Sequence, residues 1–143
     1  MKNTYLHRVQ YYETDKMGIV HHSNYIRWFE EARTDLLEKD GFGYDGMEER
    51  GIMIPVLSVS CEYKVPVRFG QTVAIECEKS FFDGVRFGIS YRVLGGNSEK
   101  DGKQILHVTG ETRHCFLSDS FKIINIRRYA PDIYAYFKEG SAH

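Results

Sequence analysis

The residues with the clearest chemical potential lie within one short stretch of this chain. Asp15 stands in a glycine-containing loop, and the adjacent histidines His21 and His22 directly precede a helical pattern. A carboxylate near a helix N-terminus can attack a carbonyl or activate a water toward it, while free N–H groups of the helix stabilise charge on the carbonyl oxygen. Gly18 lets a substrate approach the backbone closely, because glycine has no side chain. The stretch therefore predicts a site for carbonyl chemistry.

Plainer interpretations of the same residues stay open. A Thr-Asp pair before a turn is also typical of a local Asx turn or helix cap. Adjacent histidines rarely face one site, and no HExxH-type spacing accompanies them, so we predict no metal. A single imidazole that contacts substrate or handles a proton is the favoured role for this pair. His7, His107 and His114 fall within strand patterns and are interpreted as structural.

Composition limits the class of protein. A chain of 143 residues and 16.7 kDa predicts a single domain spanning 1–143. A net charge of −1 argues against nucleic-acid binding, and no apolar run reaches the length of a membrane span. The N-terminal residues resemble neither a signal nor a transit segment, so we expect a cytoplasmic location. Three widely spaced cysteines predict no disulfide framework and are interpreted as small buried strand residues.

The pattern around Asp15 predicts the elements that position it. Alternation over 5–12 indicates a first strand, and 13–23 carries turn chemistry. A helical period over 24–39, with Ser23 or Asn24 as N-cap and Gly41 as part of the stop, indicates one heavily buried helix. Its apolar stripe consists of Tyr25, Trp28, Phe29, Ala32 and Leu36, widened by Ile26 and Leu37.

The rest of the chain is mostly strand pattern. A connector over 44–55, with a short helical turn around 47–50, precedes the strands. We predict strands at 57–65, 73–81, 85–93 and 103–117, with a tight hairpin at Asp83-Gly84 and a polar loop at 95–102. An extended segment at 121–126 and a final helix from Pro131 to Gly140 follow.

This order of elements predicts an α+β fold with a mostly antiparallel sheet wrapped against the long helix. The later strands follow one another without the helical crossovers that parallel strands require. Such a sheet leaves an open edge and an uncovered face, which proteins commonly remove by pairing. A homodimer is therefore the minimum expectation.

The motif as a whole resembles the hotdog-fold acyl-CoA thioesterases of the 4-hydroxybenzoyl-CoA thioesterase type, especially their Tol-Pal-associated bacterial branch. The matching positions are Tyr11-Tyr12-Glu13-Thr14-Asp15, Gly18, Val20, His22, Asn24-Tyr25, Phe29-Glu30, Ala32-Arg33, Leu36-Leu37 and the segment 63–70. The resemblance covers roughly residues 5–138.

The resemblance implies a five-stranded antiparallel sheet around one helix, dimerised edge to edge and often tetrameric, and no cofactor. It implies hydrolysis of an acyl-CoA or acyl-carrier-protein thioester. Asp15 would be the nucleophile or general base, and the His22 N–H would polarise the thioester carbonyl. Gly18 would shape the approach and Tyr25 the acyl pocket. On charge alone, the candidate ligands of the coenzyme A phosphates are Arg86, Arg68, Arg127 and Arg128.

Two positions depart from the family pattern, and two other functions stay open. Met17 stands where many relatives have a small residue, and His21 where they have tyrosine, so the pocket rim differs. A non-catalytic module that binds acyl-CoA or acyl carrier protein would use the same groove without releasing thiol. A hydratase on a related fold would hydrate an enoyl thioester.

Overall fold

One long helix packs against a five-stranded antiparallel sheet in the computed structural model, which describes residues 1–97 and 103–139. The strands are β1 (Lys2–Arg8), β2 (Ile52–Met53), β3 (Val56–Tyr63), β4 (Thr72–Phe82), β5 (Arg86–Asn97), β6 (Gln104–Cys115) and β7 (Leu117–Ser118). Their order in the large sheet is β1-β4-β5-β6-β3, and a separate two-stranded sheet pairs β2 with β7. The helices are α1 (Ser23–Lys39), α2 (Tyr44–Glu49), α3 (Ile126–Tyr129) and α4 (Pro131–Glu139). This α+β hotdog architecture confirms the predicted fold class.

Helix α1 buries the stripe that its period predicts. Trp28, Phe29 and Ala32 are fully buried, whereas Ile26, at the edge of the stripe, is 42% exposed. The predicted cap is wrong: the N-cap position is His22, and no side chain at Ser23 or Asn24 caps the first turn. Instead, hydrogen bonds to residues of the preceding loop stabilise the start of the helix.

A glycine in the sheet lets α1 approach closely. The ring of Phe29 stacks on Tyr91 of β5, with centroids 4.3 Å apart. A Cβ added to the neighbouring Gly110 of β6 would lie 2.5 Å from Phe29 and 2.7 Å from the Ser60 carbonyl oxygen. Only glycine therefore fits beneath this aromatic pair.

The first strand lies closer to the N-terminus than the predicted 5–12, since it spans Lys2–Arg8. It ends at Arg8, and a 3-10 turn follows at Tyr11–Glu13. Tyr11 and Tyr12 are each 78% exposed, while Glu13 is 4% exposed. The alternation breaks because the Glu13 carboxylate is drawn inward by three hydrogen-bond donors.

Strand β3 lies at an edge of the sheet, and its apolar side chains face solvent. Register with β6 places Val59, Cys61 and Tyr63 on the same face as the buried residues of β6. Val59 is nevertheless 38% exposed and Tyr63 52% exposed. Helix α1 packs mainly on β1 and β4, so it leaves the inner face of the sheet uncovered at the β3 edge.

The hairpin at Asp83-Gly84 forms as predicted. Gly84 has φ of 93°, and the Asp83 carboxylate accepts hydrogen bonds from the N–H groups of Val85 and Arg86. Beyond it, Phe87, Ile89, Tyr91 and Val93 of β5 are buried on one face, as their alternation indicates.

The C-terminal part differs in detail. The segment predicted as extended over 121–126 turns at Phe121 and enters α3 at Ile126, because the Asn125 side chain accepts from the Arg127 N–H. Helix α4 begins at Pro131 as predicted; Ile133 and Phe137 are buried. The predicted polar loop at 95–102 is wrong at its start, because β5 continues to Asn97 and pairs there with β6. Residues 98–102 of that loop and Gly140 lie outside the described residues.

The cysteines are strand residues, as predicted. Cys77 and Cys115 are buried and Cys61 is half-buried. Burial raises the pKa of the Cys77 thiol to about 12, which opposes thiolate formation. Among the described helices, none combines the length and apolar character that crossing a bilayer requires.

Candidate functional site

Asp15 lies in a loop that the backbone closes at several points. The Asp15 N–H donates to the Ile19 carbonyl over 2.9 Å, and Thr14 and Val20 form an antiparallel bridge. Gly18 sits at the turn with φ of 77°, a left-handed conformation that favours glycine. A second bridge joins Ile19 to Arg68, so the loop is tied to the segment between β3 and β4.

The carboxylate of Asp15 is held on one side only. Its Oδ1 accepts a 2.7 Å hydrogen bond from the Met17 N–H, which is the Asx turn that local sequence also predicts. Among the described residues, Oδ2 has no hydrogen-bond donor. The exposed side chain is thus oriented while one oxygen stays available for chemistry.

A cleft of about 300 Å³ opens beside this loop. It brings Asp15 together with the helix start and with the end of β3. Its lining residues are Asp15, Ile19, Val20, His21, His22, Tyr25, Tyr63, Lys64, Val65 and Pro66. Asp15, His22 and Tyr25, chosen from sequence, therefore share one cavity, and Gly18 lies in the loop that forms its rim.

The two histidines at the helix start have different surroundings. His21 Nδ1 lies 2.8 Å from Ser23 Oγ and accepts a 3.3 Å hydrogen bond from the Ser23 N–H. His21 therefore caps α1, a role that spacing did not predict. The rings of His21 and His22 pack with centroids 4.2 Å apart. Within residues 1–97 and 103–139, the His22 N–H has no acceptor, so it is free to donate to a ligand.

Glu13 supports this arrangement from beneath. Oε2 accepts from Trp28 Nε1 over 2.6 Å, and Oε1 lies 2.8 Å from both His7 Nε2 and the Gln10 N–H. Its backbone carbonyl accepts from the His21 N–H over 2.8 Å and from Asn24 Nδ2 over 2.9 Å. Burial favours the neutral acid, but hydrogen bonds from Gln10, His7 and Trp28 hold the pKa of Glu13 below its usual range.

Tyr25 forms one wall of the cleft. It is 3% exposed and packs edge-on to Trp28, with centroids 5.0 Å apart. Its hydroxyl accepts a 3.4 Å hydrogen bond from the Val67 N–H. Burial raises the pKa of this phenol, so Tyr25 acts as a neutral, aromatic surface near neutral pH. The Tyr63 ring, 5.5 Å from that of Tyr25, extends this surface to the edge strand.

The structure does not bring Arg86 into this cleft. Tyr63 pairs with Val108, and Val108 with Val93, whereas Arg86 begins β5 seven residues earlier. At about 3.3 Å per residue, Arg86 lies roughly 23 Å from the cleft along the strand direction. It is exposed at the opposite end of the sheet.

Sequence reasoning missed three contributors to the site. Glu13 falls within the predicted turn segment, and its contact with Trp28, fifteen residues later, is not indicated by any local pattern. Tyr63 and Lys64 were assigned to a strand and its exit without a role in the site. Their place in the cleft depends on the β3–β6 register, which a single sequence does not specify.

The geometry suits attack on a polarised carbonyl. Among the described residues, one Asp15 carboxylate oxygen has no donor and the His22 N–H has no acceptor, and the cleft that both residues line has aromatic walls. A helix N-terminus stabilises an oxyanion through its free N–H groups and its dipole.

The sequence and fold match known proteins over nearly the whole chain. Residues 9–122 match the family model described as the thioesterase-like superfamily. YneP of Bacillus subtilis strain 168, provisionally named an acyl-CoA thioesterase, is 34% identical over 125 residues, which cover 87% of this chain and 86% of YneP. A provisionally named esterase of Aquifex aeolicus strain VF5 is 37% identical over 122 residues, covering 85% of this chain and 89% of that protein.

Solved structures of known proteins show a similar fold. The DHNA-CoA thioesterase of Staphylococcus aureus superposes with a TM-score of 0.82 and 32% sequence identity, covering 99% of this chain and 97% of the other. The 4-hydroxybenzoyl-CoA thioesterase of Pseudomonas sp. strain CBS-3 has a TM-score of 0.78 at 20% identity, with 91% and 97% covered. At that identity the second likeness concerns the fold alone.

Proposed function

This chain belongs to the thioesterase-like superfamily, and from that membership we propose that it hydrolyses acyl-CoA thioesters to a free acid and coenzyme A. The observation that carries the proposal is the cleft that Asp15 and His22 both line, where, within the part of the chain that the structure describes, one Asp15 oxygen has no donor and the His22 N–H has no acceptor. The names of YneP and of the staphylococcal enzyme support the same reaction.

Asp15 initiates the reaction in this proposal. The thioester carbonyl lies between the Asp15 carboxylate and the His22 N–H, which stabilises the oxygen as it becomes negative. Asp15 Oδ2 either attacks the carbonyl carbon or removes a proton from a water that attacks it. The C–S bond then breaks, and the coenzyme A thiolate leaves and takes up a proton. On the covalent route this leaves an acyl–Asp15 anhydride, which a water molecule hydrolyses to release the acid and restore the carboxylate. Water supplies the oxygen and both hydrogens that appear in the products.

Tyr25 and Gly18 shape binding. The buried Tyr25 ring and the more exposed Tyr63 ring form an apolar wall for the acyl group. The backbone at Gly18 presents no side chain to the approaching pantetheine arm, and a Cβ built there would meet no atom within 4 Å. Among the lining residues, Lys64 is an exposed lysine whose ammonium group lies 3.4 Å from the Glu62 carboxylate.

We propose that the active form is a homodimer or homotetramer built through β3. The uncovered inner face of this edge strand, with Val59 and Tyr63 exposed, supports pairing with a second copy. Antiparallel pairing of two β3 strands would bring the start of one strand beside the end of the other. The sheet end that carries Arg86 in one copy would then lie on the same side as the cleft of the other. A role for Arg86 with coenzyme A phosphates depends on this assembly.

We assign the whole chain, 1–143, to one thioesterase domain acting in the cytoplasm, and within the superfamily to the 4-hydroxybenzoyl-CoA type and its Tol-Pal-associated branch. The motif from Tyr11 to Leu37 supports that choice.

Thiol release from a panel of acyl-CoA and acyl-carrier-protein thioesters tests the function. We expect the wild-type protein to release thiol from at least one class among short aliphatic, long aliphatic and aromatic thioesters. Asp15→Asn keeps the shape but removes the base, so turnover should fall by about a hundredfold or more. The matched control is Asp45→Asn, an exposed aspartate of α2 outside the cleft, which should leave turnover unchanged.

Other results would assign another function. Saturable ligand binding without thiol release would indicate a binding module and contradict hydrolysis. Full activity in Asp15→Asn would end the assignment of that residue. Transfer of oxygen-18 from water into the Asp15 carboxylate in a single turnover would indicate the covalent route over the general-base route.

A further inference from the structure

Glu13 joins both sides of the loop that carries the proposed catalytic groups. In sequence it stands two residues before Asp15, at the beginning of the loop. Its backbone carbonyl bonds to the N–H of His21 and to the Asn24 side chain, at the loop's end. Its carboxylate bonds to Trp28, one turn further along α1.

We propose that Glu13 is a positioning residue, whose buried carboxylate holds the start of α1, and with it the His22 N–H, at a fixed place relative to Asp15. The proposal rests on the proposed function, because it concerns the distance between these two groups. Glu13 and Trp28 are not among the residues that line the cleft, so neither is a catalytic residue.

The donors around Glu13 require two acceptor oxygens. Oε2 accepts from Trp28, and Oε1 accepts from the Gln10 N–H and faces His7. A glutamine has one acceptor oxygen and one NH2 group. In either orientation its NH2 would face an N–H donor, from Trp28 or from Gln10. The side chain must then move, although it keeps nearly the same volume.

The start of α1 should shift with it. Glu13 contacts Trp28, and Trp28 is fully buried between Tyr25 and His7. A displacement at Glu13 is therefore transmitted to the backbone that carries His21 and His22. Misplacing reacting groups by about 1 Å can reduce turnover by about a hundredfold.

Steady-state kinetics of Glu13→Gln test the catalytic consequence. We expect kcat to fall about 10- to 100-fold while KM changes little, since the lost alignment concerns the transition state. The matched control is Glu31→Gln, because Glu31 Oε2 also approaches His7, at 3.3 Å from Nδ1, but from the exposed face of α1. The control should keep kcat within about twofold of wild type.

Two spectroscopic measurements test the positioning without any substrate. Trp28 is the one tryptophan of the chain, so its indole N–H gives a single, assigned NMR resonance. Glu13→Gln should move that resonance and should speed hydrogen exchange at the His21 amide. Glu31→Gln should do neither. Unchanged exchange at His21 in Glu13→Gln overturns the proposal, as does a kcat within twofold of wild type.

Failure of the proposed thioesterase function can be distinguished from failure of the proposed role of Glu13. If the wild-type protein releases no thiol from any thioester, the proposed function fails, and exchange at His21 alone decides whether Glu13 positions the helix start. If Glu13→Gln does not fold, Trp28→Phe replaces it, because it keeps an aromatic ring but removes the 2.6 Å hydrogen bond from the indole N–H to the Glu13 carboxylate. Faster hydrogen exchange at the His21 amide and a lower kcat support the proposal; unchanged exchange and unchanged kcat overturn it.

Discussion

Arg33 donates a 2.9 Å hydrogen bond from Nη1 to the hydroxyl of Tyr91, in the middle of the core. The guanidinium is 5% exposed, and its Nε donates to the Tyr44 hydroxyl over 2.8 Å. Among the described residues, no carboxylate lies within ion-pair distance of it. Hydroxyl groups therefore stabilise this buried charge, and each becomes costly to remove.

Removing the Tyr91 hydroxyl should destabilise the protein. Tyr91→Phe leaves Nη1 of Arg33 without its acceptor and breaks the 2.7 Å contact with Thr112 Oγ1. We expect the free energy of unfolding to fall by about 2 kcal/mol, a typical cost for a hydrogen bond to a buried charge. Urea unfolding at pH 7 measures it. Tyr129→Phe, whose half-exposed hydroxyl bonds to the Arg50 carbonyl, should cost about 0.5 kcal/mol or less. Equal losses in both variants would contradict this account of Arg33.

His114 should make stability depend on pH. Burial, with the Arg33 charge as a second cause, lowers the pKa of this imidazole to about 3 in the folded protein, against 6.5 in an unfolded chain. Between these values the unfolded state binds more protons, so stability falls as pH decreases. From pH 7 to pH 5 the loss due to this group should be about 2 kcal/mol. Urea unfolding of wild type and His114→Phe at both pH values checks it; an equal pH dependence in the two proteins would rule out His114 as the cause.

Gly110→Ala should overpack the interface between α1 and the sheet. The new methyl group would lie 2.5 Å from the Phe29 ring and 2.7 Å from the Ser60 carbonyl, and the latter is backbone that cannot rotate away. A cost of about 2 to 3 kcal/mol is expected from thermal or urea unfolding. Gly96→Ala, a strand glycine with no atom within 4 Å of the added Cβ, is the control and should be nearly neutral. A neutral Gly110→Ala would show that the helix can move away from the sheet.

Assembly through β3 predicts a specific sensitivity to charge. Val59→Lys places an ammonium group on the apolar inner face of the edge strand, where a second copy would pack. Light scattering after size-exclusion chromatography should show a dimer or tetramer for wild type and a smaller species for this variant. Leu6→Lys, at a 67% exposed position on β1 at the other edge, should leave the assembly unchanged. A monomeric wild type would contradict the proposed assembly.

The sequence correctly predicted those parts of the fold that are specified by residues close together in the chain. The stripe from Trp28 to Leu36 predicted the buried face of α1, and the alternation from Phe87 to Val93 predicted the inner face of β5. The hairpin at Asp83-Gly84 could be predicted because glycine readily adopts a positive φ and an aspartate carboxylate accepts hydrogen bonds from N–H groups of the turn. In each case the signal lies within a few residues of the structure it specifies.

The errors concern residues whose surroundings come from elsewhere in the chain. Glu13 ends the first strand because its acceptors meet Trp28, fifteen positions away. The alternation of β3 was recognised, but its apolar side chains stay exposed, since the sheet ends there. Asp15 could be predicted as a site residue from its type and its place in the motif. That Tyr63 lines the same cleft depends on the register of β3 against β6, which the sequence does not specify.

The Asp15 loop has a bridged part, which is tied to neighbouring backbone, and an exposed tip. Bridges at Thr14–Val20 and Ile19–Arg68 fix the backbone on both sides of the carboxylate, while Met17, at the tip, is 76% exposed. A loop already ordered before substrate arrives loses little conformational entropy on binding. The same division affects evolvability: the tip can change size and polarity without disturbing the tethered aspartate.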